Sequence, residues 1–177
     1  MVLGLSLPTF TFLHVLVSLV SIASGFVVVL GLIAGKRLPR WTALFLATTA
    51  LTSLSGFLFP FNGVTPGIVL GVLSLVLLSV AVIALYRGRL AGAWRGTYVI
   101  NATLALYFNF FVLIAQLFAK VPALKAIATT QSAPAFGITQ LVVMAIFVSL
   151  AVLAFKRFRG EPQESQQSWG SRSTSSD

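Results

Sequence analysis

Apolar residues run along the chain in long blocks, each closed by a short polar or basic stretch. The first block spans about Phe10 to Ala34 and ends at Gly35-Lys36-Arg37. A second, about Trp41 to Phe59, ends at Pro60, and the turn Phe61-Asn62-Gly63-Val64-Thr65-Pro66 leads to a third, about Gly67 to Tyr86. After the basic loop Arg87 to Arg95 come a fourth block, about Thr97 to Ala119, and a fifth, about Gly137 to Phe155, which stops at Lys156-Arg157-Phe158-Arg159. A helix rises about 1.5 Å per residue, so roughly 20 residues match the ~30 Å hydrocarbon core of a bilayer. Each block reaches that length. The pattern predicts an all-α polytopic membrane protein, a bundle of five transmembrane helices filling residues 1–159.

The basic residues orient the bundle. With the N-terminus outside, the inner segments hold Lys36, Arg37, Arg40, Arg87, Arg89, Arg95, Lys156, Arg157, Arg159 and Arg172, which leaves only Lys120 and Lys125 of the 12 Lys and Arg residues outside. Lys and Arg accumulate in cytoplasmic loops, so this bias predicts an outer N-terminus and an inner C-terminus. Four spans would break the alternation. The first block reads as a retained helix: no Lys or Arg precedes it, and its apolar run exceeds that of a secretory signal. The segment 160–177 is rich in Ser and Gln and holds the only acids, Glu161, Glu164 and Asp177. It cannot bury enough apolar area to fold alone, and a disordered inner tail is expected, with Trp169 in a solvated linker. In the longest loop, Lys120 to Phe136, the residues Val121, Leu124 and Ile127 recur at near-helical spacing between Pro122 and Pro134. That spacing predicts a short amphipathic helix lying in the outer interface.

Composition narrows the class. Hydrophobic residues make up 58% of the chain and charged residues 8%, against about a quarter charged in soluble domains. So few charges cannot cover a water-facing surface, whereas acyl chains solvate Leu, Val, Ile and Phe directly. The net charge of +9 sits in the loops, where it serves topology and lipid headgroups rather than nucleic acid. The absence of cysteine excludes disulfides and thiolate chemistry. No acid precedes Glu161. Paired-carboxylate catalysis, hard-cation sites and carboxylate-dependent proton coupling are therefore not expected in the helical part. No catalytic residue and no metal-ligand set stands out, and a non-enzymatic role is expected.

The polar residues inside the blocks define the candidate chemistry. His14, Ser18, Ser21 and Gly25 share one face of the first helix; Thr49, Thr52 and Gly56 share one of the second; the third carries Gly67-x-x-x-Gly71 followed by Ser74. Small-residue stripes of this kind are packing seams. Asn101, Asn109 and Gln116 in the fourth helix should turn inward, because an amide facing acyl chains leaves its donors unpaired. His14, Ser18, Ser53, Asn109, Gln116 and Gln140, with Ser55, all fall in the outer half of the membrane although four helices supply them. They define a hypothetical ligand-binding polar pocket with Lys120 and Gln131 at its mouth; the plainer reading is that they bond to one another as bundle glue. His14 is the only histidine. Haem b, normally held by two histidines, would need a symmetric dimer. The Phe-rich face of Phe108, Phe110, Phe111 and Phe118 suits lipid or a second subunit equally.

Several runs resemble a group of small multi-pass bacterial inner-membrane proteins without an assigned activity. They are Trp41-Thr42-Ala43-Leu44-Phe45-Leu46-Ala47-Thr48-Thr49, Leu51-Thr52-Ser53 through Gly56-Phe57, Ala91-Gly92-Ala93-Trp94-Arg95, Leu106-Tyr107-Phe108-Asn109 and Lys120-Val121-Pro122-Ala123-Leu124-Lys125-Ala126. The resemblance covers roughly 12–159. It departs at Ala133, where the group carries a Glu in its outer loop. It implies location in the bacterial inner membrane and leaves activity open. The expected function is a small-ligand or lipid-binding module, a homo-oligomer or a subunit of a membrane assembly. The alternatives are a b-haem or quinone-linked redox protein using His14 and, third, a passive channel or transporter.

Overall fold

The computed structural model describes residues 2, 4–60, 63, 65–127 and 133–159. The tail 160–177, including Trp169 and Arg172, the loop residue Gln131 and most of the turn at 61–64 lie outside the described residues. Within them the chain is helical: α1 (Leu7–Ile33), α2 (Pro39–Gly56), α3 (Pro66–Val82), α4 (Ala93–Lys120), α5 (Pro122–Ile127) and α6 (Pro134–Arg157). The ends follow from local chemistry. Proline occupies the first or second position of α1, α2, α3 and α6, where its missing N–H costs nothing. Ser6 and Thr65 cap α1 and α3 by accepting from the amides of Thr9 and Ile68. The short α5 falls where Val121, Leu124 and Ile127 predict a helix, and it buries none of its residues.

Four helices are long and apolar enough to cross a membrane: α1, α3 with its continuation to Arg87, α4 and α6. They fit a multi-pass integral membrane protein. The remaining long helix, α2, has 18 residues and carries Thr42, Thr48, Thr49, Thr52, Ser53 and Ser55, which dilute its apolar character. Thr42, Thr48, Thr49 and Ser55 find protein partners for their hydroxyls, while the buried Oγ1 of Thr52 has none. Thr48 returns its hydroxyl to the Leu44 carbonyl one turn back, and Thr11, Ser79, Thr139 and Ser149 do the same on the other helices. This back-bonding satisfies a hydroxyl that faces lipid.

Helix directions alternate. Along the α1–α2 contact His14 meets Ser55, Ser21 meets Thr49 and Gly25 lies against Phe45, so α2 runs antiparallel to α1. Ser21 meets Asn109 while Gly25 lies against Leu106, so α4 is also antiparallel to α1. Phe136 stacks on Phe118, whereas Phe155 lies on Gly96, so α6 is antiparallel to α4. Phe57, at the far end of α2, rests on Gly71 near the start of α3. At the other end of α3, Leu85 and Tyr86 lie level with Leu32 of α1 and Tyr98 of α4. The helices α1, α3 and α6 therefore point one way and α2 and α4 the other.

The main apolar core runs through Val29, Phe45, Ala81, Ala102, Leu106 and Phe147. Close approach is set at Gly25, where a Cβ would fall 2.6 Å from Leu106 and 2.8 Å from the Phe45 ring. A second cluster joins Ile114 and Phe136 to Phe111 and Phe118, and Phe110 stacks on Phe26 and Phe147. Three of the four phenylalanines expected to face lipid or a partner thus pack between helices. The lipid-like surface is instead broadest on α6, where Ile138, Leu141, Val142 and Val148 are exposed.

Between α3 and α4 the chain makes a π-helical turn, Ile83–Arg87, closed by the Gly88 amide on the Ile83 carbonyl. Arg89 and Leu90 then take positive φ values of 48° and 57°. This strained corner turns Leu90 into the core at 7% exposure and brings Trp94 over Gly88, where a Cβ would clash at 2.4 Å.

Candidate functional site

The polar side chains form separate neighbourhoods. At the centre, Asn109 of α4 donates its amide to Ser21 Oγ of α1 at 3.0 Å and to Thr49 Oγ1 of α2 at 3.3 Å. Ser21 and Thr49 share a 2.6 Å hydrogen bond, and both are fully buried. The three residues close a ring that ties α1, α2 and α4 together. Both hydroxyls have forgone the i−4 carbonyl to reach across the helix interface. That is how polar residues hold helices together where water cannot compete.

Toward the N-terminus of α1, His14 Nδ1 and Ser55 Oγ are 2.8 Å apart. The imidazole stands edge-on to Phe59, and its Cε1 lies near Gly56. Ser18 gives its hydroxyl to the His14 carbonyl on its own helix, and Ser53 is buried one turn from Thr49. On α6, Gln140 donates to the Phe111 carbonyl at 3.1 Å, while its buried Oε1 accepts no hydrogen bond. Gln116 is exposed on α4. Asn101 donates to the Thr97 carbonyl one turn below. Of the six candidate pocket residues, Asn109 ties α4 to α1 and α2, Gln140 bridges α6 and α4, His14 bridges α1 and α2 through Ser55, Ser18 stays on its own helix, Ser53 is buried on α2, and Gln116 faces away from these contacts.

Concavities open at the opposite end of the bundle, where the basic residues gather. A cavity of ≈ 80 Å³ lies between the end of α1, the start of α2, the π-helical turn and the first turns of α4. Val28, Leu32 and Leu85 form its apolar wall; Thr42 and Tyr98 supply hydroxyls; Lys36 and Arg37 stand at its edge. Tyr98 and Thr42 are 1% and 7% exposed, yet their hydroxyl oxygens are 3.4 Å apart, a long contact for two O–H groups. Beside it, Leu90, Gly92, Arg95, Phe155, Lys156 and Arg159 line an open groove of ≈ 520 Å³. Here Arg95 donates to the carbonyls of Phe155 and Phe158 at the end of α6 and lies 5.5 Å from the Phe155 ring centre. That satisfies carbonyls the helix leaves free and places a cation at its negative pole.

The polar pattern of the sequence points to the other half of the bundle and does not single out Thr42 and Tyr98. The available signal was topological: Trp41-Thr42 opens the second block beside Arg40, and Tyr98 opens the fourth beside Arg95, so charge alternation already puts both hydroxyls at the basic end. No group of three or more His, Cys, Asp or Glu side chains that could hold a metal ion occurs among the described residues. No protein-family model, curated protein or solved structure matches this chain.

Proposed function

We propose that the chain is a five-span protein of the bacterial inner membrane, with its N-terminus outside, and that it acts as a non-enzymatic lipid-binding module at its basic end. The fifth span rests on direction. Both α1 and α3 run antiparallel to α4, so the chain leaving α1 must return across the bundle before α3 begins. The helix that makes this return is α2, whose 18 residues cover about 27 Å at 1.5 Å per residue. The outward N-terminus follows the charge bias, and the bacterial location follows the sequence resemblance.

The binding role is carried by one observation: the concavities lie among Lys36, Arg37, Arg95, Lys156 and Arg159, while the interior polar ring spends its hydrogen bonds on its own members. Basic pockets between helices at the cytoplasmic face suit anionic headgroups. Native mass spectrometry of protein extracted in mild detergent tests this. Retained phosphatidylglycerol or another anionic phospholipid is expected; an equal preference for phosphatidylcholine would contradict the reading. A b-haem role is favoured by one detail, since Ser55 engages His14 Nδ1 and leaves Nε2 as the coordinating atom. A Soret band that disappears in His14→Ala would support that alternative, and a featureless visible spectrum would remove it.

A further inference from the structure

The cavity beneath Lys36 and Arg37 has the makings of an anion site. Four features meet there, built by the stretch 36–42 together with Tyr98 of α4. Tyr98 and Thr42 present hydroxyls that are almost wholly buried, yet they meet each other only at 3.4 Å. A hydroxyl has one donor and two acceptor sites, so this single long contact leaves both O–H groups capacity for a stronger acceptor. Two cations, Lys36 and Arg37, line the cavity on the strand of chain between α1 and α2. The N-terminus of α2 begins in the cavity wall at Leu38 and Pro39, and no side chain caps it. Pro39 has no N–H, so any amide offered here comes from its neighbours, and the positive pole of the helix start favours a negative ligand. Finally, ≈ 80 Å³ is several times the ~10–15 Å³ that a cavity needs to hold one water, a space that a phosphate group with its five heavy atoms can enter.

Among the described residues no Asp or Glu competes for these donors. The apolar wall of Val28, Leu32 and Leu85 lies behind the hydroxyls. A phosphate ester entering from the basic end would thus meet two cations first and two buried hydroxyls last. Surface lysines attract any anionic membrane; the hydroxyl pair is what would distinguish a seated phosphate from a diffuse counterion.

We propose that Tyr98 and Thr42, with Lys36 and Arg37 at the mouth and the start of α2 alongside, form a binding site for a phosphate group, either free or on a lipid headgroup. The lipid form rests on the reading that the basic end lies in a headgroup layer; the free form does not.

The test uses the full chain in mild detergent, and native mass spectrometry measures binding of phosphatidylglycerol, phosphatidylcholine and inorganic phosphate. Tyr98→Phe combined with Thr42→Val removes both hydroxyls and preserves shape. Lys36→Gln combined with Arg37→Gln removes the cations. Circular dichroism checks that each variant retains its helix content. Both double variants should weaken binding by about tenfold, the factor that the loss of one or two charge-assisted hydrogen bonds brings. Phosphatidylglycerol binding without competition by inorganic phosphate identifies a headgroup site, and competition identifies a free-phosphate site. If the cation variant weakens binding while the hydroxyl variant, folded, binds as the parent does, the anions sit on the surface and the site is refuted. In that outcome a lipid-binding role at the basic end would stand. If phosphatidylcholine binds as well as phosphatidylglycerol, the anionic-lipid role fails, while the site, which asks only for a phosphate group, is refuted by a folded hydroxyl variant that binds inorganic phosphate and both lipids as the parent does. If the hydroxyl variant alone fails to fold, Tyr98→Phe by itself, which keeps the ring in the core, supplies the decisive comparison.

Discussion

Asn109 is the residue on which three helices converge. Its amide reaches Ser21 and Thr49, and truncation to Ala would leave both buried hydroxyls with one partner fewer. Interhelical hydrogen bonds in membranes average near 0.6 kcal/mol and reach roughly 1.7, so Asn109→Ala is expected to cost about 1 kcal/mol. Thermal unfolding in detergent checks this against Gln116→Ala, which alters an exposed side chain and should leave the midpoint unchanged. Gly25 acts through space rather than bonding. A Cβ there meets Leu106 and the fully buried Phe45 ring, so Gly25→Ala should destabilise by about 1–3 kcal/mol through overpacking; an unchanged unfolding midpoint would show that the rings yield freely.

Ser21 and Thr49 of the polar ring were legible in the sequence as members of packing seams, and Asn109 as an amide that must turn inward. Their partners were not. Spacing along a helix tells which side chains share a face, and Ser21 and Gly25 do share one. It does not tell what stands opposite. Asn109 and Gln116 illustrate the limit: seven residues drift by only about 20° around a helix, yet Asn109 lies against α1 and α2 while Gln116 is exposed. The glycine pattern Gly67-x-x-x-Gly71 likewise read as one seam, but only Gly71 meets a neighbouring helix, through the Phe57 ring.

At the scale of elements, apolar block length located every long helix, because helix formation in lipid must satisfy the backbone internally. The ends shifted by a few residues, for reasons lodged in single positions. Pro39 and Pro134 start α2 and α6 ahead of the apolar blocks. The π-helical turn at Ile83–Arg87 had no sequence signature; it depends on Gly88 and on positive φ at Arg89 and Leu90. The end of α6 is held from outside, by Arg95 donating to the Phe155 and Phe158 carbonyls. Arg95→Met keeps an unbranched apolar side chain at this position and removes the donors. Hydrogen exchange at the Phe158 amide, bonded to the Ala154 carbonyl, is expected to quicken by about tenfold as the last turn frays, in line with the ~1–2 kcal/mol of a charged helix-end interaction. Unchanged exchange would mean that packing alone holds the turn.

For the whole molecule, the central matter is the path between α1 and α3. Counting apolar residues alone counts four crossings, because six Ser and Thr residues lower the apolar character of α2. The proposed fifth crossing rests on contacts along the helix: α2 accompanies α1 from Phe45 to Ser55 and delivers Phe57 to the start of α3. A chain without cysteine allows this path to be traced by single introduced cysteines against no background. Ala34, Pro60 and Ala91 are exposed positions between the long helices, and Ala126 is an exposed position of the short α5. Membrane-impermeant maleimide applied to intact cells and to inverted vesicles should label Ala34→Cys and Ala91→Cys from the inner face, and Pro60→Cys and Ala126→Cys from the outer face. Labelling of Ala34→Cys and Pro60→Cys from the same face would mean that α2 does not cross, and the five-span account would be wrong.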